Sequence, residues 1–304
     1  MDLQNRLTSG APLLLDGATG TELNRRGVDT TLPLWSARAL ITAPRVLTEI
    51  HADYARAGAD ILTADTFRTN RRTLDRAGLA SEAQTLTARA IALARAGAER
   101  GAPGRQIWVA GSLAPVEDCY TPELTPPDHE LMAEHGEMAQ ALLRSGADLI
   151  LVETMPTIRE ARIATQAARA TGLPVLVGFT CRSDNRLFSG ETVTEAARAI
   201  LPLGPTALMI NCTPSHTIRW PLSELRVAAP DLPLGAYANI GHTDDIVGWT
   251  DTGDVTPDQY AGLGLDWLGL GARLVGGCCG TRPAHIAAMR AALDRAPGIG
   301  LSST

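Results

Sequence analysis

The chain has 304 residues, of which 45% are hydrophobic and 20% are charged, as is usual for a globular protein. Its formal net charge of −6 disfavours nucleic acid and anionic membranes as partners, because phosphate-rich surfaces would repel it on average. All 27 basic residues are arginine, which excludes a Schiff-base lysine, a pyridoxal-phosphate anchor and a phosphate-loop lysine.

The N-terminal segment and the cysteines bear on the cellular compartment. MDLQNRLTSGAP lacks the basic start and apolar middle of a signal peptide, and no run approaches the roughly 18 apolar residues of a membrane span. We therefore expect a cytoplasmic protein. An odd number of cysteines in a long chain argues against a disulfide framework and favours metal binding or reactivity. The five are Cys119, Cys181, Cys212, Cys278 and Cys279.

Short apolar runs recur along the chain and alternate with segments of helical spacing, which favours parallel βα units. Eight such units fit a closed barrel, whereas a doubly wound sheet typically has fewer strands or a second domain. We predict an α/β fold, a (β/α)8 TIM barrel, as a single domain over residues 1–304. The eight runs are 13–15, 61–63, 107–110, 149–152, 175–179, 207–210, 234–237 and 272–275.

Polar residues follow the apolar runs, at the end of a barrel where active sites lie. Asp16 follows the first run, Asp65 the second, Glu153 the fourth and Asn239 the seventh. The irregular stretch 117–127 follows the third run and is long enough to be a functional loop. We expect these residues to converge on one rim of the barrel.

Three cysteines end the sixth and the last run: Cys212, and the adjacent pair Cys278 and Cys279. Strands separated by one neighbour lie roughly 10 Å apart, and inward-leaning side chains can reduce this to the ~3.8 Å between sulfurs on one zinc ion. Adjacent strand residues point to opposite faces, so we expect the strand to end here, with the two glycines before the pair and Gly280 after it supplying conformational freedom. Three soft thiolates favour zinc with a fourth position open to substrate.

Other interpretations of these residues stay open at this point. The cysteines also fit a vicinal disulfide, two buried structural thiols, or a closed structural zinc completed by a histidine. His285 is the candidate for that histidine, but its surroundings predict a helix that places it a turn away. Asp16 and Asn239 also fit ordinary turn residues. Glu153 is harder to explain in this way, because an unpaired buried carboxylate is costly.

Five motifs resemble, in order, those of the zinc-dependent homocysteine S-methyltransferases. They are DGATGTEL from Asp16, HADYARAGADILTADTF from His51, LVETM from Leu151, INCT from Ile210 and GGCCGT from Gly276. They span nearly the whole chain, and GGCC with the upstream NC is the specific element. The resemblance implies a (β/α)8 barrel in which Cys212, Cys278 and Cys279 hold one zinc ion, and homocysteine sulfur takes the open position.

The resemblance also implies roles for residues around the metal. Asp16 and Glu153 match acidic residues that hold the ammonium end of homocysteine, and the backbone amides of Gly17, Ala18 and Thr19 would receive its carboxylate. Asn239 matches an asparagine with a secondary role near the zinc. The partners implied are small molecules, homocysteine and a methyl donor.

The methyl donor is the less defined part of the resemblance. A chain that stops soon after the eighth helix favours S-methylmethionine over the folate, cobalamin and betaine branches. However, the third loop, LAPVEDCYTPELTPP, departs from the glycine- and tyrosine-containing stretch usual in that branch. Trp35, Asp65 and Tyr120 are candidates to contact a cationic donor. The alternatives are another thiol or selenol acceptor, a betaine-like donor, or a non-catalytic zinc or redox-responsive barrel.

Overall fold

Eight parallel strands form the centre of the computed structural model, which describes residues 3–9, 11–244, 248–250 and 255–295. Around the sheet their order is β2, β3, β4, β5, β6, β7, β10, β1, and a bridge between Leu15 and Ile61 closes β1 onto β2. A separate antiparallel pair, β8 and β9, follows β7. The predicted (β/α)8 barrel is confirmed. The strands are β1 Leu13–Leu14, β2 Ile61–Ala64, β3 Trp108–Leu113, β4 Leu149–Met155, β5 Val175–Phe179, β6 Ala207–Pro214, β7 Leu234–Asn239, β8 His242–Asp244, β9 Gly248–Thr250 and β10 Ala272–Gly277.

Helices connect the strands and cover the outside of the barrel. Side-chain caps begin several of them: Thr157 caps α8, and Thr192 and Thr256 form capping boxes with the third residues of α9 and α11. No helix in the described ranges is long and apolar enough to cross a bilayer. The helices are α1 Leu3–Ser9, α2 Thr19–Arg25, α3 Ala39–Thr42, α4 Pro44–Arg56, α5 Arg71–Asp75, α6 Ala83–Gly101, α7 Asp128–Arg144, α8 Ile158–Arg169, α9 Val193–Ile200, α10 Arg219–Ala228, α11 Pro257–Gly269 and α12 Pro283–Arg295.

The strands are buried on both faces, and alternate residues enter two separate clusters. In β4, Leu149 and Leu151 point into the barrel, whereas Ile150 and Val152 pack against the helices. The inner cluster fills the barrel, and Met209, Tyr237 and Leu274 belong to it. This packed floor restricts substrate to the open end, above the carboxyl ends of the strands.

Several strands run past the apolar segments from which they were predicted. β4 continues to Met155 and β6 to Pro214, so Glu153 and Cys212 lie inside strands and not after them. The prediction stopped early because it required apolar residues. Both residues lie where the register with the next strand is interrupted, and both side chains line the cavity.

Candidate active site

A cavity of about 560 Å³ opens at the carboxyl ends of the strands. Asn239, alone among the predicted site residues, is not part of its lining; it lies fully buried behind the cysteines. The structure therefore brings nearly the whole predicted set together. The predicted residues that line the cavity are Asp16, Gly17, Ala18, Thr19, Trp35, Asp65, Tyr120, Glu153, Cys212, Cys278 and Cys279.

The three rim cysteines meet at one point. The Sγ atoms of Cys212 and Cys278 are 3.1 Å apart, and all three sulfurs lie within 4.8 Å of one another. β6 and β10 flank β7, as the predicted topology requires. Cys212 has φ +50°, an unfavourable value for a residue with a Cβ, and it occurs where the regular register between β6 and β7 is interrupted. Backbone strain thus accompanies the placement of this thiol.

The glycines before the cysteine pair permit close packing. Neither Gly276 nor Gly277 has a positive φ, whereas Gly280, after the pair, has φ +82°, so the predicted conformational freedom is used at Gly280 and not at the first two glycines. A Cβ on Gly276 would lie 2.6 Å from Leu15 Cβ, and one on Gly277 would lie 2.3 Å from Thr281 Oγ1. They allow β10 and the following loop to approach β1 and Thr281.

A tyrosine from α11 ties the two strands beneath the cysteines. The Tyr260 hydroxyl lies 2.9 Å from the carbonyl oxygen of Ala238 and 2.8 Å from that of Gly276, and it accepts from the Ala238 amide at 3.1 Å. The Cys278 amide donates to the same Ala238 carbonyl at 2.9 Å. This contact connects β7 and β10 at the level where the strands end.

The three thiols influence one another's ionisation. Hydrogen bonds from the Cys278 and Cys279 thiols lower the pKa of Cys212, and the contact with Cys212 raises the pKa of each of the other two. These contacts therefore favour ionisation of Cys212 and oppose ionisation of Cys278 and Cys279. A divalent cation would allow all three to ionise, so the residues fit a thiolate-bound metal.

Asn239 and His285 lie near the cysteines but are used differently. Asn239 Oδ1 accepts from the Cys279 amide at 3.1 Å, and its Nδ2 has no partner among the described residues. His285 lies in α12, as expected, where Nδ1 accepts from the Arg282 amide and Nε2 contacts the Val255 carbonyl oxygen. Both imidazole nitrogens are occupied, so His285 does not complete the metal site.

Two buried carboxyls lie beside the sulfurs. Asp16 Oδ2 accepts from the Thr63 amide at 2.8 Å, and burial raises the pKa of Asp16 to about 8. Glu153 accepts hydrogen bonds from the hydroxyls of Ser112 and Tyr237, and burial raises the pKa of Glu153 to about 7. The charge of Glu153 contributes to the raised pKa of Asp16. A cation bound between them would favour the ionised form of both.

The turn after β1 is held against the loop that carries the cysteine pair. The Ala18 amide donates to Thr281 Oγ1 at 3.2 Å, and the Ala18 carbonyl accepts from the Tyr54 hydroxyl at 2.9 Å. Of the three predicted amide contacts, Ala18 is thus already engaged. Gly17 and Thr19 remain the amides to consider for a substrate carboxylate.

The cavity wall opposite the cysteines carries two of the predicted donor contacts, Trp35 and Asp65. Trp35 has φ +48°, and its ring meets Phe67 edge-on at 5.7 Å between centroids. A Cβ on Gly20 would lie 2.4 Å from the Trp35 ring, so glycine is needed there for close approach. Asp65 Oδ1 accepts from Ser36 Oγ at 2.6 Å, and burial raises the pKa of Asp65 to about 6.

The third loop reaches the sulfur group. Tyr120 packs edge-on against Phe188 at 5.2 Å, and its hydroxyl is among the groups that lower the pKa of Cys212. Earlier in the loop, Glu117 forms ion pairs with Arg72 at 3.2 Å and Arg76 at 2.6 Å. Tyr120 thus lines the cavity together with Trp35 and Asp65, and it also lies near the three candidate metal ligands.

The sequence matches a family model described as homocysteine S-methyltransferase over residues 13–293. The chain belongs to the homocysteine S-methyltransferase family. This confirms the resemblance on which the sequence prediction rested.

Similar proteins align with this chain over almost its whole length. A homocysteine S-methyltransferase of Escherichia coli is 33% identical over 297 residues, which are 92% of this chain and 94% of that protein. A selenocysteine methyltransferase of Astragalus bisulcatus is 27% identical over 90% of each chain. The crystal structure of the homocysteine methyltransferase MmuM from Escherichia coli, in a metallated form, has a TM-score of 0.80 at 31% identity, covering 92% of this chain and 96% of that one.

Three residues that hold the buried carboxyls or line the cavity were not predicted as site residues: Thr63, Tyr237 and Arg68. Strand alternation was the available signal, since Leu149 and Leu151 point inward and Glu153 continues the series. In β3 the same alternation places Ser112 on the inner face, two residues after Ala110. In β2 it places Thr63, and then Asp65 just after the strand, on the same face as Ile61. It also places Tyr237 inside the barrel. Arg68, in the turn after β2, had no such signal.

Proposed function

We propose that this protein transfers a methyl group from a small onium donor to the sulfur of homocysteine, giving methionine. The observation that carries the proposal is the grouping, in one cavity, of three cysteine sulfurs within 4.8 Å of one another and two buried carboxyls. The sulfurs suit a thiophilic metal, and the carboxyls suit the ammonium group of an amino acid.

We assign one zinc ion per chain to Cys212, Cys278 and Cys279, because three thiolates favour zinc and leave one of its four positions to a substrate. When bound, zinc lowers the pKa of a coordinated substrate thiol, so that the sulfur is a thiolate at neutral pH. That a relative from Escherichia coli is known in a metallated form supports metal binding by this chain. The free cysteines fit the reducing cytoplasm, which we propose as the location.

Asp16 and Glu153 would bind the homocysteine ammonium. Their oxygen atoms are already held by Thr63, Ser112 and Tyr237, so a bound ammonium would meet acceptors in fixed positions. Such preorganisation directs the substrate sulfur towards the cysteines and reduces the entropy lost in the reaction. We assign the substrate carboxylate to the amides of Gly17 and Thr19, beside that of Ala18, and a secondary contact to Asn239.

The transfer itself needs orientation more than acid–base help. A bond forms between the homocysteine sulfur and the methyl carbon while the bond from that carbon to the donor sulfonium breaks. The electron pair stays on the donor sulfur, which leaves as a neutral thioether. No proton moves in this step, and no histidine is found among the described residues that line the cavity. With S-methylmethionine, our favoured donor, both products are methionine.

Methionine formation tests the proposal. Zinc-loaded protein, incubated with homocysteine and S-methylmethionine, should produce methionine and should contain about one zinc per chain. Absence of product with S-methylmethionine, betaine and other sulfonium donors would contradict the proposed activity.

A second candidate is methyl transfer to a different thiol or to a selenol. The relative from Astragalus bisulcatus, a selenocysteine methyltransferase, favours it as the alternative. Values of kcat/KM for homocysteine, cysteine and selenocysteine would separate the two. A higher value for selenocysteine would replace homocysteine as the assigned acceptor.

A further inference from the structure

Two polar atoms in the wall opposite the cysteines have no hydrogen-bond partner among the described residues. They are Oδ2 of Asp65 and Nε of Arg68, and both atoms are buried. Asp65 is only 4% exposed, and its other oxygen is occupied by Ser36. Buried polar groups are normally paired, so two unpaired atoms in one cavity wall indicate that a ligand completes them.

The two groups carry opposite charge and lie three residues apart in the turn after β2. They do not form an ion pair with each other among the described contacts; Arg68 only reaches the Glu117 carbonyl oxygen, at 3.5 Å, and lies over the Phe67 ring at 5.5 Å. Asp65 Oδ2 lacks a donor, and Arg68 Nε lacks an acceptor. A ligand with an ammonium and a carboxylate a short distance apart would satisfy both.

Aromatic rings complete this part of the wall. Trp35 and Phe67, in edge-to-face contact at 5.7 Å, line the cavity together with Asp65 and Arg68. Aromatic faces attract alkylated cations, such as a sulfonium, that have no N–H to donate. The wall therefore offers a separate interaction to each part of a sulfonium amino acid.

We propose that Asp65 and Arg68 bind the α-ammonium and the α-carboxylate of the methyl donor, which makes the donor an amino-acid sulfonium such as S-methylmethionine. The inference rests on the proposed function and deepens it. Glycine betaine does not fit equally well. Its quaternary nitrogen has no N–H group, so Asp65 Oδ2 would stay unpaired when it binds.

Donor binding by the zinc-loaded full-length protein tests this assignment. Calorimetry would compare S-methylmethionine with dimethylsulfonioacetate, which has a sulfonium and a carboxylate but no ammonium. Asp65→Asn should weaken S-methylmethionine binding by about tenfold or more and leave dimethylsulfonioacetate within about twofold. Asp75→Asn, an exposed position on α5, is the matched control and should change neither. Zinc content and circular dichroism would establish that each variant is folded.

Arg68→Gln gives an independent test, since it should weaken both ligands by a similar factor of about tenfold. Arg45→Gln, at an exposed position on α4, is its control. An equal loss of affinity for the two ligands in Asp65→Asn, or no loss of affinity for either, would overturn the assignment of Asp65. Unchanged affinity for both ligands in Arg68→Gln would overturn the assignment of Arg68.

Turnover separates failure of this inference from failure of the proposed function. If wild-type protein forms no methionine with any donor, but S-methylmethionine binding still depends on Asp65, the proposed function fails and this binding site stands. If Asp65→Asn forms methionine from S-methylmethionine with an unchanged KM, the activity stands and this inference is overturned.

Discussion

The two sides of the cavity differ in how completely the protein pairs its own polar groups. On the side of β4, β6 and β10, the sulfur atoms of Cys212 and Cys278 lie within hydrogen-bond distance, and the oxygens of Glu153 accept hydrogen bonds from Ser112 and Tyr237. On the side of β2, Asp65 Oδ2 and Arg68 Nε have no partner within the described ranges. The first side is organised before substrate arrives, and the second is completed by its ligand. Asn239 Nδ2 is the exception on the first side.

Removing one of the three clustered cysteine thiols should have the largest effect, because it would disrupt the metal site on the organised side of the cavity. Cys212→Ser should reduce zinc from about one ion per chain to below about 0.1, because a neutral hydroxyl does not replace a thiolate. Methionine formation should fall by about 1000-fold or more. Metal analysis and product assays measure both, and Cys278→Ser should behave alike. Cys181→Ser, a buried cysteine outside the sulfur group, should keep its metal. Full zinc retention in Cys212→Ser would refute the ligand assignment.

Neutralising Glu153 should weaken the acceptor and not the donor. Glu153→Gln keeps the shape but removes a charged hydrogen bond worth about 1.5–3 kcal/mol, so KM for homocysteine should rise by about 10–150-fold. Steady-state kinetics at saturating S-methylmethionine measure this change. Glu123→Gln, exposed on the third loop, should leave KM unchanged. An equal rise in the donor KM would contradict the division of the cavity into two sides.

Adding one methyl group behind the cysteine pair should reduce stability. Gly277→Ala places a Cβ 2.3 Å from Thr281 Oγ1, whose hydrogen bonds join Cys278 and Ala18. Overpacking of this kind costs about 1–3 kcal/mol in the free energy of unfolding. Gly262→Ala, exposed in α11 with no atom within 4 Å of its added Cβ, should be neutral or stabilising. Urea denaturation compares them, and similar effects of both substitutions would disprove the packing role.

Low pH should weaken donor binding through Asp65, because burial raises the pKa of this carboxyl to about 6. A protonated carboxyl attracts an ammonium less, so kcat/KM for the donor, at saturating homocysteine, should fall as pH drops through 6. Between pH 7 and pH 5 the ionised fraction falls about tenfold. The Asp65→Asn variant should lack this part of the decline. An identical pH profile in the variant would remove Asp65 from donor recognition.

Much of the fold was predictable because strands buried on both faces read as unbroken apolar runs. The run 175–179 matches β5 at both ends. The meeting of Cys212 with Cys278 followed from topology alone, since one strand separates β6 from β10. These features depend on local composition and on the regular geometry of a barrel, both of which the sequence displays directly.

Other features depend on contacts between distant residues and had no local signal. The strained φ of Cys212 and the role of Gly277 arise from packing against neighbouring elements. Glu117 helps to fix the path of the third loop by pairing with Arg72 and Arg76, which precede it by 45 and 41 residues. Tyr120 could therefore be predicted as a site residue, but not as a neighbour of Cys212 that lowers its pKa.

The bridging hydroxyl of Tyr260 bears on how this metal centre could be transplanted into another barrel. Copying three cysteines would be insufficient, because their spacing depends on the intervening β7 and on the phenol that joins Ala238 to Gly276. The portable unit must contain β6, β7, β10 with the cysteine pair that follows it, and the first turn of α11. A designer who grafts this unit would also inherit a backbone conformation at position 212 that the host strand must tolerate.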